Sequence, residues 1–108
     1  MHSQHKKLAD GGWGQLTLLE QLGNVGSEVG RALKAQEKGD EQQSQRCLDR
    51  ALELLDLTIA DPKHRKRLKE LCRLREVICD YFFGENIFGS TSPLLENYFT
   101  YFAIAARR

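Results

Sequence analysis

The sequence predicts an all-α protein, an antiparallel up-and-down four-helix bundle. Apolar residues recur at helical spacing in four segments, capping residues, prolines or glycines bound most of those segments, and no window alternates at period two. With 108 residues, 41% of them hydrophobic and 29% charged, the chain has the balance of one globular domain rather than of a disordered segment. Four amphipathic helices with short connections bury one face each most economically as an antiparallel bundle.

Gly11, Gly12 and Gly14 surround the single Trp13 and give residues 1–14 little reason for regular structure. They read as a flexible N-terminal lead-in whose indole can dock on the domain; residues 15–108 form the single bundle domain. Helix one is expected from about Gln15 to Lys38, with Leu19, Leu22, Val29 and Leu33 on its inner stripe and Gly39 as its stop. Asp40 to Gln43 has the spacing of a capping box and opens helix two, which presents Leu48, Ala51, Leu52, Leu55 and Ile59 and ends near Ala60. Asp61-Pro62 restarts the chain as N-cap and first helical residue. Helix three then runs from Pro62 to about Phe83, facing Leu68, Leu71, Cys72, Leu74, Ile78, Cys79 and Phe82 inward. Glu85 to Thr91 is a loop in which Ile87 and Phe88 look buried. Ser92-Pro93 opens helix four, with Leu95, Tyr98, Phe99, Phe102 and Ala105 on its apolar side, reaching Arg107.

Three features stand out from this frame. Gly23, Gly26 and Gly30 share one face of helix one, with Ser27 adjoining. Each costs about 0.5–1 kcal/mol relative to alanine, so a close backbone approach should offset them: a crossing inside the bundle, a subunit interface, or a phosphate cradle. The cradle is the weakest of these, because a glycine loop of that kind lies between a strand and a helix. The second feature is charge. Residues 63–75 carry seven cations against one anion, a local +6 within a chain of net +1. Lys63, Arg65, Lys66, Arg67 and Lys69 would sit on the first turns of helix three, against the macrodipole, as an anion-binding segment keeps them. The alternative is a solvated face that pairs with Glu41, Asp49, Glu53 and Asp56 of helix two. Third, eight of nine aromatics lie between Tyr81 and Phe102. That is core, or a patch that a partner covers, with Tyr101 left on the surface.

Catalytic signals are missing from the sequence. His64 is the only histidine beyond the N-terminal His2 and His5, which are two metal ligands without a third. No His-Glu-x-x-His, Gly-x-Ser-x-Gly, P-loop or Cys-x-x-Cys motif occurs. The three cysteines, Cys47, Cys72 and Cys79, read as buried thiols of a reducing cytoplasm. No apolar stretch is long enough to span a bilayer, and Met1 to Lys7 lead into no signal-peptide core. The expectation is a non-catalytic cytoplasmic interaction protein without metal or cofactor, a homo-oligomer or the partner of another protein. The alternative is a phosphate, nucleotide or nucleic-acid binder acting through the basic segment.

Two resemblances add to this reading. Residues 32–62, with Ala32, Gly39, Arg50-Ala51-Leu52-Glu53-Leu54 and Pro62, resemble a tetratricopeptide helix pair, without a second copy at the repeat period. The whole layout, four helices with a polar second one, resembles the HEPN class of nucleotidyltransferase partner proteins. Its nuclease members carry an Arg followed four to six residues on by His. Arg46 and Arg50 have no such histidine, and no arginine stands in range before His64. The resemblance therefore implies a binding role and excludes the nuclease one.

Overall fold

A computed structural model describes residues 12–106. A 3₁₀ turn, Trp13–Gln15, precedes α1 (Leu18–Glu37) and α2 (Glu41–Ala60). A second 3₁₀ segment, Pro62–Arg67, leads into α3 (Leu68–Phe83), and a loop leads to α4 (Ser92–Ala106). The protein is all-α, with no strand among the described residues.

α1 begins later than the apolar pattern suggests because Trp13–Gln15 turns separately to bury the indole. Thr17 then caps the helix: its hydroxyl accepts from the Glu20 amide, and the Glu20 carboxylate accepts from the Thr17 amide. At the other end Gly39, at φ +77°, closes a Schellman turn, with Asp40 N–H donating to Ala35 O and Gly39 N–H to Gln36 O. The three-residue turn folds α2 back on α1. Ser44 donates to the Ala32 carbonyl, the Arg50 guanidinium to Glu28, and Gln21 to Asp61. Sequence numbers rise on one side of these pairs as they fall on the other, so α1 and α2 are antiparallel. Their shared interior holds Val25, Val29, Ala32, Leu33, Cys47, Leu48, Ala51, Leu54 and Leu55.

α3 and the 3₁₀ segment before it pack on α2, and α4 packs on α1. Leu71, Leu74 and Ile78 of α3 and Leu95 of α4 are fully buried in the common core.

Several sequence expectations need correction. Asp40 does accept from the Gln43 amide, but the Gln43 side chain turns away, toward Cys47 Sγ and Arg46, so only half of a capping box forms. The inner face of α2 is rotated toward Leu54 and Thr58, leaving Leu52 and Ile59 half-buried. The single helix expected from Pro62 to Phe83 is broken, with non-helical torsions at His64 (φ −104°, ψ 19°) and Arg67 (φ −108°, ψ 7°). The break turns His64 inward, where it is 6% exposed. On α3, Cys72 is exposed and Leu68 lies 41% open, since both sit to one side of the Leu71–Leu74–Ile78 stripe. The cap of α4 is Thr91 rather than Ser92: its hydroxyl accepts from the Leu94 amide at 3.3 Å. Ile87 and Phe88 point outward, at 81% and 46% exposure.

Two substitutions grade these forces by urea denaturation. Leu55→Ala, at a site with no exposed surface, is expected to cost about 2–5 kcal/mol. Thr17→Ala, which removes the cap alone, is expected to cost about 1 kcal/mol.

Candidate interaction surface

The glycine stripe forms the floor of an open groove of ≈ 650 Å³ between α1 and α4. Gly26 lies under α4: a Cβ there would sit 3.4 Å from the Phe99 ring. Nothing stands within 4 Å of the corresponding positions at Gly23 and Gly30, and Ser27 is exposed. One glycine of the stripe thus lies against the Phe99 ring at ordinary contact distance, while the other two face open space. Arg31 and Lys34 rim the groove from α1, and Glu96, Phe99 and Thr100 from α4.

The basic run divides between two elements. Lys63, Arg65, Lys66 and Arg67 belong to the 3₁₀ segment and precede the α-helix; only Lys69 lies in the first turn of α3, beside Glu70. Arg67 at the N-cap of α3 and Lys69 in its first turn still set cations at a helix N-terminus, against the macrodipole. Lys63 is tied to Asp61 at 3.0 Å and to the Gly14 carbonyl at 2.6 Å. Arg75 reaches across to Asp56 of α2 at 2.7 Å, and Asp56 holds its guanidinium above the ordinary range. Arg73 forms an ion pair with Glu76 at 3.6 Å and lies 5.3 Å from the centre of the Phe88 ring. Arg65, Lys66 and Lys69 are exposed, and among the described residues no carboxylate pairs with them.

Most of the exposed large hydrophobic side chains among the described residues lie in or beside the aromatic segment. α4 turns Phe99 toward α1 and buries Leu95 in the core, and its other side carries Leu94 (53% exposed), Tyr101 (72%) and Ile104 (52%). Leu94, Tyr98 and Tyr101 stand at i, i+4 and i+7, so they form one stripe. A cleft separates this stripe from α3. Its upper part, ≈ 310 Å³, is lined by Val77, Phe88, Leu94, Leu95 and Tyr98; its lower part, ≈ 480 Å³, by Lys69, Cys72, Arg73, Glu76 and Tyr98. Burial pushes the Tyr98 phenol up. The neighbouring loop is held rigidly. The Asp80 carboxylate accepts from the Ile87 amide at 2.8 Å and the Phe88 amide at 3.0 Å, and the Asn86 side chain bonds the Ser90 backbone twice. Sequence reasoning took Ile87 and Phe88 as core because it could not see Asp80 fixing their backbone with the side chains turned out.

A second constellation went unread in the sequence. The Gln21 amide, with no exposed surface, donates to the Trp13 carbonyl at 2.8 Å and to Asp61 at 3.2 Å, and its oxygen lies 2.8 Å from His64 Nε2. Trp13 Nε1 donates to Thr58 Oγ1 at 3.1 Å. With Gln21 Oε1 as acceptor, His64 carries its proton on Nε2. Burial pulls the His64 pKa down, against the pull of Asp61. For Asp61, burial pushes up, but bonds from the Lys63 side chain, the Lys63 amide and Gln21 outweigh it and hold the carboxyl below its usual range. Glu28 behaves alike: burial raises it, and Arg50 and Arg31 more than reverse that. Of these residues Asp61 left a signal in sequence, as an N-cap, and Trp13 another, as an indole able to dock; Gln21, Thr58 and Glu28 left none. His2 and His5 lie outside the described residues.

No family model, curated protein or solved structure matches the chain.

Gly23→Ala and Gly30→Ala are each expected to stabilise the fold by about 0.5–1 kcal/mol, because helix propensity improves and no atom is displaced; Gly26→Leu, driven into Phe99, should destabilise it. Thermal and urea melts check all three. The pH profile of unfolding should show two acid-side losses. The neutral His64 contributes stability that is complete above its ordinary 6.5 and lost as pH falls through its lower folded value. Asp61 and Glu28 contribute stability that is present above 3.8 and 4.5 and lost as pH falls through their depressed values. His64→Gln should remove the first loss alone.

Proposed function

We propose that the chain is a small, non-catalytic helical-bundle interaction protein that binds a protein partner on the side formed by α4, the α3–α4 cleft and the Ile87–Phe88 loop. In this reading the four helices run up and down as an antiparallel bundle and the protein works in the cytoplasm. The observation that carries it is the uncovered side of α4. A helix that is apolar on most of its circumference is stable when it is covered on more than one side, and α4 has Leu94, Tyr101 and Ile104 in solvent. The loop supports it further, since a rigid backbone that already presents Ile87 and Phe88 loses little freedom on docking. The non-catalytic part rests on side-chain chemistry: His64 is buried and bonded to Gln21, and Cys47 is buried. Among the described residues no helix is long and apolar enough to cross a membrane.

A second reading draws on Arg65, Lys66 and Lys69, whose exposure and lack of carboxylate partners among the described residues suit phosphate contacts. That role would be the one implied by the HEPN resemblance, a binding partner of a nucleotidyltransferase.

An apolar fluorescent dye of the anilinonaphthalene class tests the first reading. At low micromolar protein it should bind the folded chain, and Leu94→Glu with Tyr101→Glu should abolish most of the signal while the helical circular dichroism persists. Dye binding unaffected by the pair would sink it. For the second, Arg65→Glu with Lys66→Glu should lower the salt slope of RNA or DNA binding by about 2; no measurable binding at low salt would dispose of it.

A further inference from the structure

We infer that the partner on the α4 side is a second copy of this chain, joined in a two-fold dimer in which α4 lies across α4. The inference rests on the interaction reading above and names its occupant.

Charge is the first argument. Of the residues from Ser92 to Ala106 only Glu96 is charged, and it lines the glycine groove on the opposite side. The outward Leu94, Tyr101 and Ile104, with the half-buried Tyr98 beside them, therefore form a neutral stripe. An isologous contact sets a patch against itself, so every charge at its centre would meet its own likeness; a neutral centre avoids that cost. Farther out, the cleft wall of α3 alternates in sign through Lys69, Glu70, Arg73 and Glu76. Such a rim can pair reciprocally across a two-fold axis. A basic or acidic partner would find no complementary field on this face.

Area is the second. Ile87, Phe88, Leu94, Tyr101 and Ile104 are between 46% and 81% exposed. With roughly 200 Å² accessible on a large side chain, these exposures leave about 90–160 Å² each, and the five come to on the order of 600 Å². That is at the upper end for a monomer's largest patch and approaches the ~800 Å² each partner gives to a standard interface. The composition also fits: tyrosines at the centre, aliphatic side chains around them, charges at the edge. The helix itself is about 22 Å long, enough for the two copies to cross and place each Ile87–Phe88 loop at the border of the contact.

Sedimentation equilibrium of the full chain, from low micromolar to near-millimolar concentration at neutral pH, reads the mass directly. The expected result is a monomer–dimer equilibrium. Its dissociation constant should rise about 100-fold in Tyr101→Glu and in Leu94→Glu, with helical circular dichroism retained because both side chains are more than half exposed. Ser27→Glu, in the glycine groove, should leave it unchanged. A monomer at every concentration overturns the inference; if the dye still binds that monomer and is lost in the α4 variants, the docking surface stands and only its occupant was misassigned. A dimer insensitive to both α4 variants and broken by Ser27→Glu overturns it by moving the contact to α1. Open-ended polymers overturn it as well, since a two-fold contact closes on itself.

Discussion

One buried carboxamide organises half of this protein. Gln21 has a donor and an acceptor on a single planar group, and it uses both: the amide holds Trp13 O and Asp61, and the oxygen faces His64. Those partners lie in the first 3₁₀ turn, at the end of α2, and in the 3₁₀ segment before α3. An apolar residue of similar size would fill the space and leave the buried imidazole without its hydrogen bond, at a cost of about 1–3 kcal/mol, while the Trp13 carbonyl would keep only the Leu16 amide and Asp61 only Lys63. A satisfied polar cluster of this kind rigidifies and specifies rather than simply adding stability. Gln21 joins the first 3₁₀ turn, the end of α2 and the 3₁₀ segment before α3 at one point, while α3 and α4 are also held by the apolar core.

That junction decides where the basic residues go. His64 must turn inward to meet Gln21, so the backbone around it leaves helical geometry, and Lys63, Arg65 and Lys66 are displayed on a 3₁₀ segment instead of a helix N-terminus. The cations that matter to the fold are the ones that reach across elements, Lys63 to Gly14 O and Arg75 to Asp56. In α1 and α2 the same logic applies to Glu28, a nearly buried carboxylate kept ionised between Arg31 and Arg50.

Much of the helical content was legible in the sequence, because periodicity and caps are local signals: Gly39 ends α1, Asp40 opens α2, and Asp61 stops it. What could not be read were choices made by distant partners. Nothing near residue 64 announces that a glutamine forty-three positions earlier will hold its ring. Nothing near Ile87 shows that Asp80 will fix two successive amides and leave the side chains in water. The glycine stripe was visible, but its meaning depends on where α4 crosses, and α4 covers Gly26 alone. The surplus of aromatics between Tyr81 and Phe102 was visible too; its division between core and surface follows from α4 resting on α1 rather than closing against α3.

The indole of Trp13 is the chain's single tryptophan, almost wholly shielded from solvent and bonded to Thr58. Its emission spectrum consequently reports on one event, the seating of the short turn that precedes α1, independently of the helices that dominate the far-ultraviolet signal. A red shift that came before any loss of ellipticity on warming would reveal a strap that lifts while the hairpin beneath it is still intact. Coincident changes would mean that the strap and the hairpin melt as one unit.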